Sequence, residues 1–256
     1  MDGLGFVFEP WLDTQLLTDH DAERFEFEFN ARGSGEDGVD IPLSLSIDQG
    51  TFCHTKEDDR TGAVVWDDSV VMASHFCKEM PPGWWEGKTC IELGSGCGFL
   101  GIVTSCLGAK TLITDQAHIV PLLERNAQKI DGDCLRLGGS ISCCEHSWGT
   151  SIEKLPRQTF DVIVASGVVY HEEAIDPLLS SLRNLSTVGG TLFFLGVDFR
   201  FDVANSDRFP QGLPVVAEFL KRLYREWSVQ EIHQKMKASV RLYVCKRPFP
   251  IANVID

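Results

Sequence analysis

Cys90-Ile91-Glu92-Leu93-Gly94-Ser95-Gly96-Cys97-Gly98-Phe99-Leu100-Gly101-Ile102 starts as a short apolar run and passes through three glycines at alternate positions. It then resumes an apolar pattern at helical spacing through Val103 and Leu107. The order strand, tight loop, helix follows. Glycine has no Cβ, so the backbone between strand and helix turns sharply and a ligand can lie against it, near the amide-rich helix N-terminus. A dinucleotide fingerprint needs a small third residue three positions after the second glycine, where helix and strand pack closely. Phe99 stands there, which counts against an NAD-dependent oxidoreductase.

Around this stretch the chain of 256 residues is 43% hydrophobic, enough for one large α/β domain or one domain with an arm. No apolar run reaches the length of a membrane span, and the start Met1-Asp2-Gly3-Leu4 has neither a basic region nor a signal-like core; the expectation is a soluble protein of the cytoplasm or also the nucleus. Lysine and arginine total 23 against 37 aspartates and glutamates, a formal net charge of −14. Such a surface repels phosphate backbones, so nucleic acid is a poor partner and a basic protein a better one. The nine cysteines are scattered without a CxxC pair and read as reduced, mostly buried thiols with no metal site.

Upstream, Phe25, Phe27 and Phe29 alternate with glutamates, and Leu43, Leu45 and Ile47 alternate with serines. Two period-2 patterns, each with one polar face, predict a β-hairpin whose connector is the glycine-rich segment 32–38. After the charged segment 56–60 a helix begins near Asp67, and strands and helices then alternate. The strands are expected at 89–93, 111–114, 140–144, 160–165 and 191–195, with helices at 121–130, 174–185 and 214–226. Segments 228–233 and 239–246 have no helix between them and predict an antiparallel pair that completes a seven-stranded sheet. The fold class is therefore α/β, a Rossmann-like doubly wound sheet with helices on both faces.

The carboxylate Glu92, two residues before the first glycine, gives the loop an acidic-GxGxG form that resembles motif I of the class I S-adenosylmethionine (SAM) methyltransferases. Asp115 ends the second strand, seventeen residues after Gly98, where nucleoside-binding α/β folds place a ribose-binding carboxylate; a helix N-cap would look identical. Three further motifs follow in order: Thr114 to Asn126, Ser147-Trp148-Gly149, and Phe160 to Glu173, with Val65-Trp66-Asp67 upstream. Together they resemble the family 16 methyltransferases, seven-β-strand enzymes that methylate lysine, and occasionally histidine, in particular proteins. The resemblance implies a domain of residues 61–256 that carries SAM and releases S-adenosylhomocysteine (SAH), preceded by an arm of residues 1–60 that helps define the substrate site. It further implies that Trp66 and Trp148 border the cofactor, that Gly94, Ser95 and Gly96 run along its methionine part with Glu92 at the start of that loop, that Asp115 holds the ribose, and that Ser166 lies beside it. The partner would be a specific protein with a basic or lysine-bearing surface, and the enzyme a monomer.

One position departs from the family pattern. The family's motif after the fourth strand is an acid, two variable residues and an aromatic; here it reads Gly167-Val168-Val169-Tyr170. Lysine, with a pKa of about 10.4, is protonated at neutral pH, and a carboxylate at the first position helps to place it. Tyr170 is present for substrate contact, and Glu172, Glu173 and Asp198 are candidates for the missing acid. Glu172 and Glu173 read equally as first-turn acids of the following helix. The alternatives are a nucleophile needing less help, such as histidine or a small-molecule amine, and a catalytically silent module that holds cofactor or partner. Substrate choice is expected in surface loops such as 200–213.

Overall fold

The alternating phenylalanines do form a strand. β1 (Arg24–Arg32) pairs antiparallel with β2 (Asp40–Asp48), with Phe25 opposite Ile47, Phe27 opposite Leu45 and Phe29 opposite Leu43. This computed structural model describes residues 17–33, 40–51, 60–130, 132, 135–199, 212–232, 234–237 and 239–248. Most of the hairpin connector, the charged segment before Arg60, Cys53, Cys134, His233 and loop residues 200–211 lie outside them.

The main sheet contains β3 (Thr89–Leu93), β4 (Lys110–Asp115), β5 (Ser140–Glu145), β6 (Val162–Ser166), β7 (Leu192–Asp198), β8 (Ser228–Ile232) and β9 (Val240–Lys246) in the order β5-β4-β3-β6-β7-β9-β8. The first five run parallel, and β9 is antiparallel to both of its neighbours. The strands extend beyond their hydrophobic runs where a partner continues the ladder. β7 reaches Asp198 because Asp198 pairs with Val240, and β5 reaches Glu145 because Glu145 pairs with Asp115.

The helices are α1 (Asp67–Lys78), α2 (Phe99–Cys106), α3 (Val120–Gln128), α4 (Ile175–Leu185) and α5 (Gly212–Leu223). α4 starts one residue later than its sequence pattern suggests, because Glu172–Ala174 form a 3-10 turn. Alternation along the strands sends Val162, Val164 and Phe194 to a core shared with α1 and α2, and Ile163, Ala165, Phe193 and Leu195 to one shared with α4 and α5. Both faces of the sheet are thus covered, as a buried parallel sheet requires. No helix of the described residues is long and apolar enough to cross a membrane.

Two residues beside the glycine loop fix how the layers meet. At Gly101, a Cβ would stand 2.2 Å from Ile113 Cγ2 and 2.7 Å from Glu92 Oε2. The close helix-to-strand approach expected of position 99 is therefore made two residues later. Phe99 instead receives the hairpin: the rings of Phe25 and Phe27 meet it edge-on at centroid distances of 5.2 and 5.0 Å. Buried Asn126 of α3 completes the attachment. Its Nδ2 donates to the carbonyls of Asp48 and Cys97, and its Oδ1 accepts from the Asp48 N–H, all at 2.9 Å.

Candidate active site

Strand order reverses between β3 and β6, and the loops leaving their carboxyl ends diverge around a crevice, the usual ligand position in an open α/β sheet. A cavity of about 390 Å³ opens there. Every residue assigned to the cofactor from sequence lines it: Trp66, Glu92, the loop residues Gly94, Ser95 and Gly96, then Asp115, Trp148 and Ser166. They come from five separate segments of the chain.

Local chemistry explains how each is held. Ser95 braces the loop: its N–H donates to the Thr114 carbonyl and its hydroxyl accepts from the Thr114 N–H, both at 2.9 Å. What it offers a ligand is backbone. Asp115 accepts the Gly96 N–H at Oδ2 (2.8 Å) and the Gln116 N–H at Oδ1 (2.7 Å). It caps no helix, since the N-cap of α3 is Ile119. Trp148 lies so close over Gly94 that a Cβ there would be 2.8 Å from Cζ2 of the indole.

Glu92 is buried and accepts the Gly101 N–H at 2.9 Å. Burial pushes its carboxyl up to about 8, partly opposed by the bonds from Gly101 and Ser95. It is therefore protonated at neutral pH, and a nearby cation would favour its ionised form. Two residues before Trp148, His146 is buried with Nε2 3.3 Å from Ser181 Oγ, and that hydroxyl also accepts the Gly149 N–H at 2.9 Å. Burial lowers the His146 pKa, which keeps the ring neutral.

The opposite wall is built from the start of α1. The Trp66 indole N–H donates to the Thr61 carbonyl (2.8 Å), and the Thr61 hydroxyl lies 3.1 Å from Tyr170 Oη, so one threonine links both aromatics. Asp67, fully buried, accepts from the backbone of Leu17 and Thr18 and from the Thr18 hydroxyl, and pairs with the equally buried Lys237 at 3.0 Å. A second, narrower cavity of about 40 Å³ adjoins the first and shares Thr61, Trp66, Gly167 and Tyr170 with it. Asp68 and Asp198 add carboxylates to its lining.

The structure thus brings Tyr170 and Asp198 together beside the cofactor cavity. It does not bring Glu172, which is exposed on the 3-10 turn and lines neither cavity, because that turn directs it to solvent; Glu173 does line the larger one. Among the described residues, the hairpin lines neither cavity; it acts as a buttress behind Phe99. Thr61, Asp68 and His146 were not anticipated. Asp68 carried one signal, a second acid at the start of an apolar helix, but a first-turn acid is the ordinary reading of that. No group of histidine, cysteine and carboxylate side chains able to hold a metal occurs among the described residues.

A profile of the lysine methyltransferase family matches residues 48–208. Protein N-lysine methyltransferase METTL21A of Danio rerio is 32% identical over 181 residues, 71% of this chain and 75% of that protein. EEF1A lysine methyltransferase 3 of Xenopus tropicalis is 28% identical over 162 residues, 62% of this chain and 69% of that protein. Among solved structures, the glycopeptide N-methyltransferase MtfA complexed with SAH superposes with a TM-score of 0.53 at 14% identity, covering 71% of this chain and 90% of that one, a likeness of fold.

Proposed function

This chain belongs to the lysine methyltransferase family, and on that premise we propose how these two adjoining cavities divide the work of a SAM-dependent protein-lysine N-methyltransferase. The larger cavity holds the cofactor and the narrower one admits the side chain of the acceptor lysine. The observation that carries this reading is convergence: five sequence segments, each with a residue of the family pattern, meet around one space at the switch point of the sheet.

The residues fit the cofactor's parts. Trp148 offers an aromatic face to a flat base. Asp115 presents two carboxylate oxygens to a pair of ribose hydroxyls. The loop 94–96 lies along the amino-acid portion, with Glu92 beneath it able to ionise when an ammonium approaches. SAM, when bound, supplies a methyl group on an electrophilic sulfonium. The protein's part is to orient the acceptor nitrogen along that axis and to exclude water. Tyr170, held by Thr61 at the border of the two cavities, is placed to contact the incoming side chain.

The acceptor is a protein, and we infer that it presents its lysine on a basic surface, because a chain of net charge −14 attracts such a partner over long range. The same charge disfavours nucleic acid. The enzyme is proposed to act as a monomer.

Calorimetry with SAM and SAH on the wild type and on Asp115→Asn tests the cofactor assignment. Asparagine keeps one acceptor for the Gly96 N–H but has lost the charge and one ribose acceptor, so affinity is expected to fall roughly tenfold or more. Unchanged affinity in the variant would remove Asp115 from the site, and no binding to the wild type would remove the enzyme reading.

A further inference from the structure

Gly167 occupies the position of the family's acid, with φ +65°, and the space a side chain there would enter is already taken. A Cβ built on Gly167 would lie 3.3 Å from Oδ2 and 3.4 Å from Oδ1 of Asp68. Asp68 reaches this point from the first turn of α1, across the crevice from β6. It is 1% exposed, and its Oδ1 accepts the Ser69 N–H at 3.0 Å. On its other side lies Gly196 of β7, where a Cβ would stand 3.5 Å from Asp68 Cβ and 3.0 Å from Met72 Cε. Glycine just past the end of β6 and within β7 is what allows an aspartate to sit between the helix and the sheet edge.

A helix dipole does not account for this placement. First-turn acids gain from the dipole while remaining in water, whereas Asp68 is buried against the end of β6 and Gly196 of β7. Asp68 lines the narrow cavity together with Trp66, Tyr170 and Asp198, a cavity that Glu92, Asp115 and Trp148 do not line. An aliphatic stem passing the aromatics would bring a terminal ammonium to the carboxylate.

We propose that Asp68 is the carboxylate that receives the acceptor lysine, supplying from α1 the charge that residue 167 lacks on the β6 loop. The proposal rests on the reading of the larger cavity as the cofactor site. It gives Gly167 a reason: an aspartate at 167 beside Asp68 would press two carboxylates together, and each would disfavour ionisation of the other. The reaction keeps its acid while the chain moves it to another element.

The test needs no knowledge of the acceptor protein. Sinefungin resembles SAM but carries an amine on carbon where SAM carries the methyl group on sulfur, so it presents an ammonium toward the acceptor cavity; SAH presents nothing there. Both are titrated calorimetrically into the wild type, Asp68→Asn, Asp198→Asn and the double variant Asp68→Ala with Gly167→Asp. Aspartate is among the few non-glycine residues that tolerate a positive φ, so the double variant can return the acid to the family's position. The expected result is SAH affinity within about twofold in all four, with sinefungin weakened roughly tenfold to a hundredfold in Asp68→Asn and recovered in the double variant. Sinefungin affinity that ignores Asp68→Asn, or that falls only in Asp198→Asn, would overturn the proposal. Loss of SAH binding in both Asp68 variants would make Asp68 a folding residue and also overturn it. Failure of either ligand to bind the wild type would instead refute the cofactor reading beneath it.

Discussion

Replacing Lys237 with methionine is expected to destabilise the protein by about 3 kcal/mol, and the structure shows why the figure is neither zero nor larger. Lys237 and Asp67 are both fully buried and stand 3.0 Å apart. Surface pairs contribute about 0–1 kcal/mol, but breaking a buried pair by removing one partner costs about 3–5 kcal/mol because the other charge stays buried. Methionine fills most of the lysine volume, so cavity formation adds little. Asp67 also keeps the N–H groups of Leu17 and Thr18 and the Thr18 hydroxyl, which places the loss at the low end of that range. Urea unfolding followed by tryptophan fluorescence measures it; in a chain of this size the same loss lowers Tm by roughly 6–12 °C. Asp67→Asn should cost more, since it weakens the anchor of the 17–18 segment as well, and amide exchange at Leu17 and Thr18 should accelerate in that variant only. The double variant should cost less than the two single losses summed, by about 2 kcal/mol of coupling. A loss below about 1 kcal/mol for Lys237→Met, or additive single effects, would refute the argument that this pair ties the β8–β9 turn to the start of α1.

Gly101→Ala should destabilise by about 1–3 kcal/mol, because its Cβ would fall 2.2 Å from Ile113 and force α2 off the sheet; thermal unfolding reads this, and no loss at all would contradict the packing. Gly94→Ala should leave stability less affected than SAH affinity, because the new methyl group displaces the Trp148 indole, 2.8 Å away; calorimetry should show affinity reduced at least tenfold. Glu92 gives a pH signature. Its folded pKa of about 8 lies above the unfolded 4.5, so the stability it contributes is complete below 4.5 and is lost as pH rises toward 8. Glu92→Gln has no such proton to lose, so relative to the wild type it should gain up to roughly 1.4 kcal/mol per pH unit across that window, measured by urea midpoints at pH 5 and 7.5. A constant difference between the two pH values would count against a protonated Glu92.

The order and type of the elements could be read from the sequence because they depend on local period: alternation in β1 and β2, short buried runs in the parallel strands, helical spacing between them. The meeting of the expected cofactor residues in one cavity follows for a related reason, since all of them but Trp66 lie at or just after strand ends whose positions that pattern sets. Three features could not be read this way. In the sequence Phe99 stands only as a broken fingerprint, because its partners Phe25 and Phe27 lie more than seventy residues away in the chain. Gly101 gave no sign of its role, because the crowding comes from Ile113 on the next strand. Glu172 was attractive as an acid near the motif, yet one 3-10 turn was enough to direct it to solvent.

The missing acid shows most sharply where reading along the chain ends. Residue 167 and residue 68 are separated by 99 positions, and no local pattern relates them. In space, the Asp68 carboxylate lies within van der Waals contact of where a side chain on residue 167 would begin. A charge acts through distance and dielectric, not through the element that carries it, so an acid lost from the β6 loop can be supplied by any segment that reaches the same point. α1 is suited to do so because Asp67, the neighbouring residue, is already fixed by Lys237 and by the 17–18 segment, which holds the first turn of the helix against the crevice. Asp67 therefore does for Asp68 what the strand end would have done for an acid at 167: it sets the position of the charge before the substrate arrives, and so reduces the ordering that binding must otherwise supply.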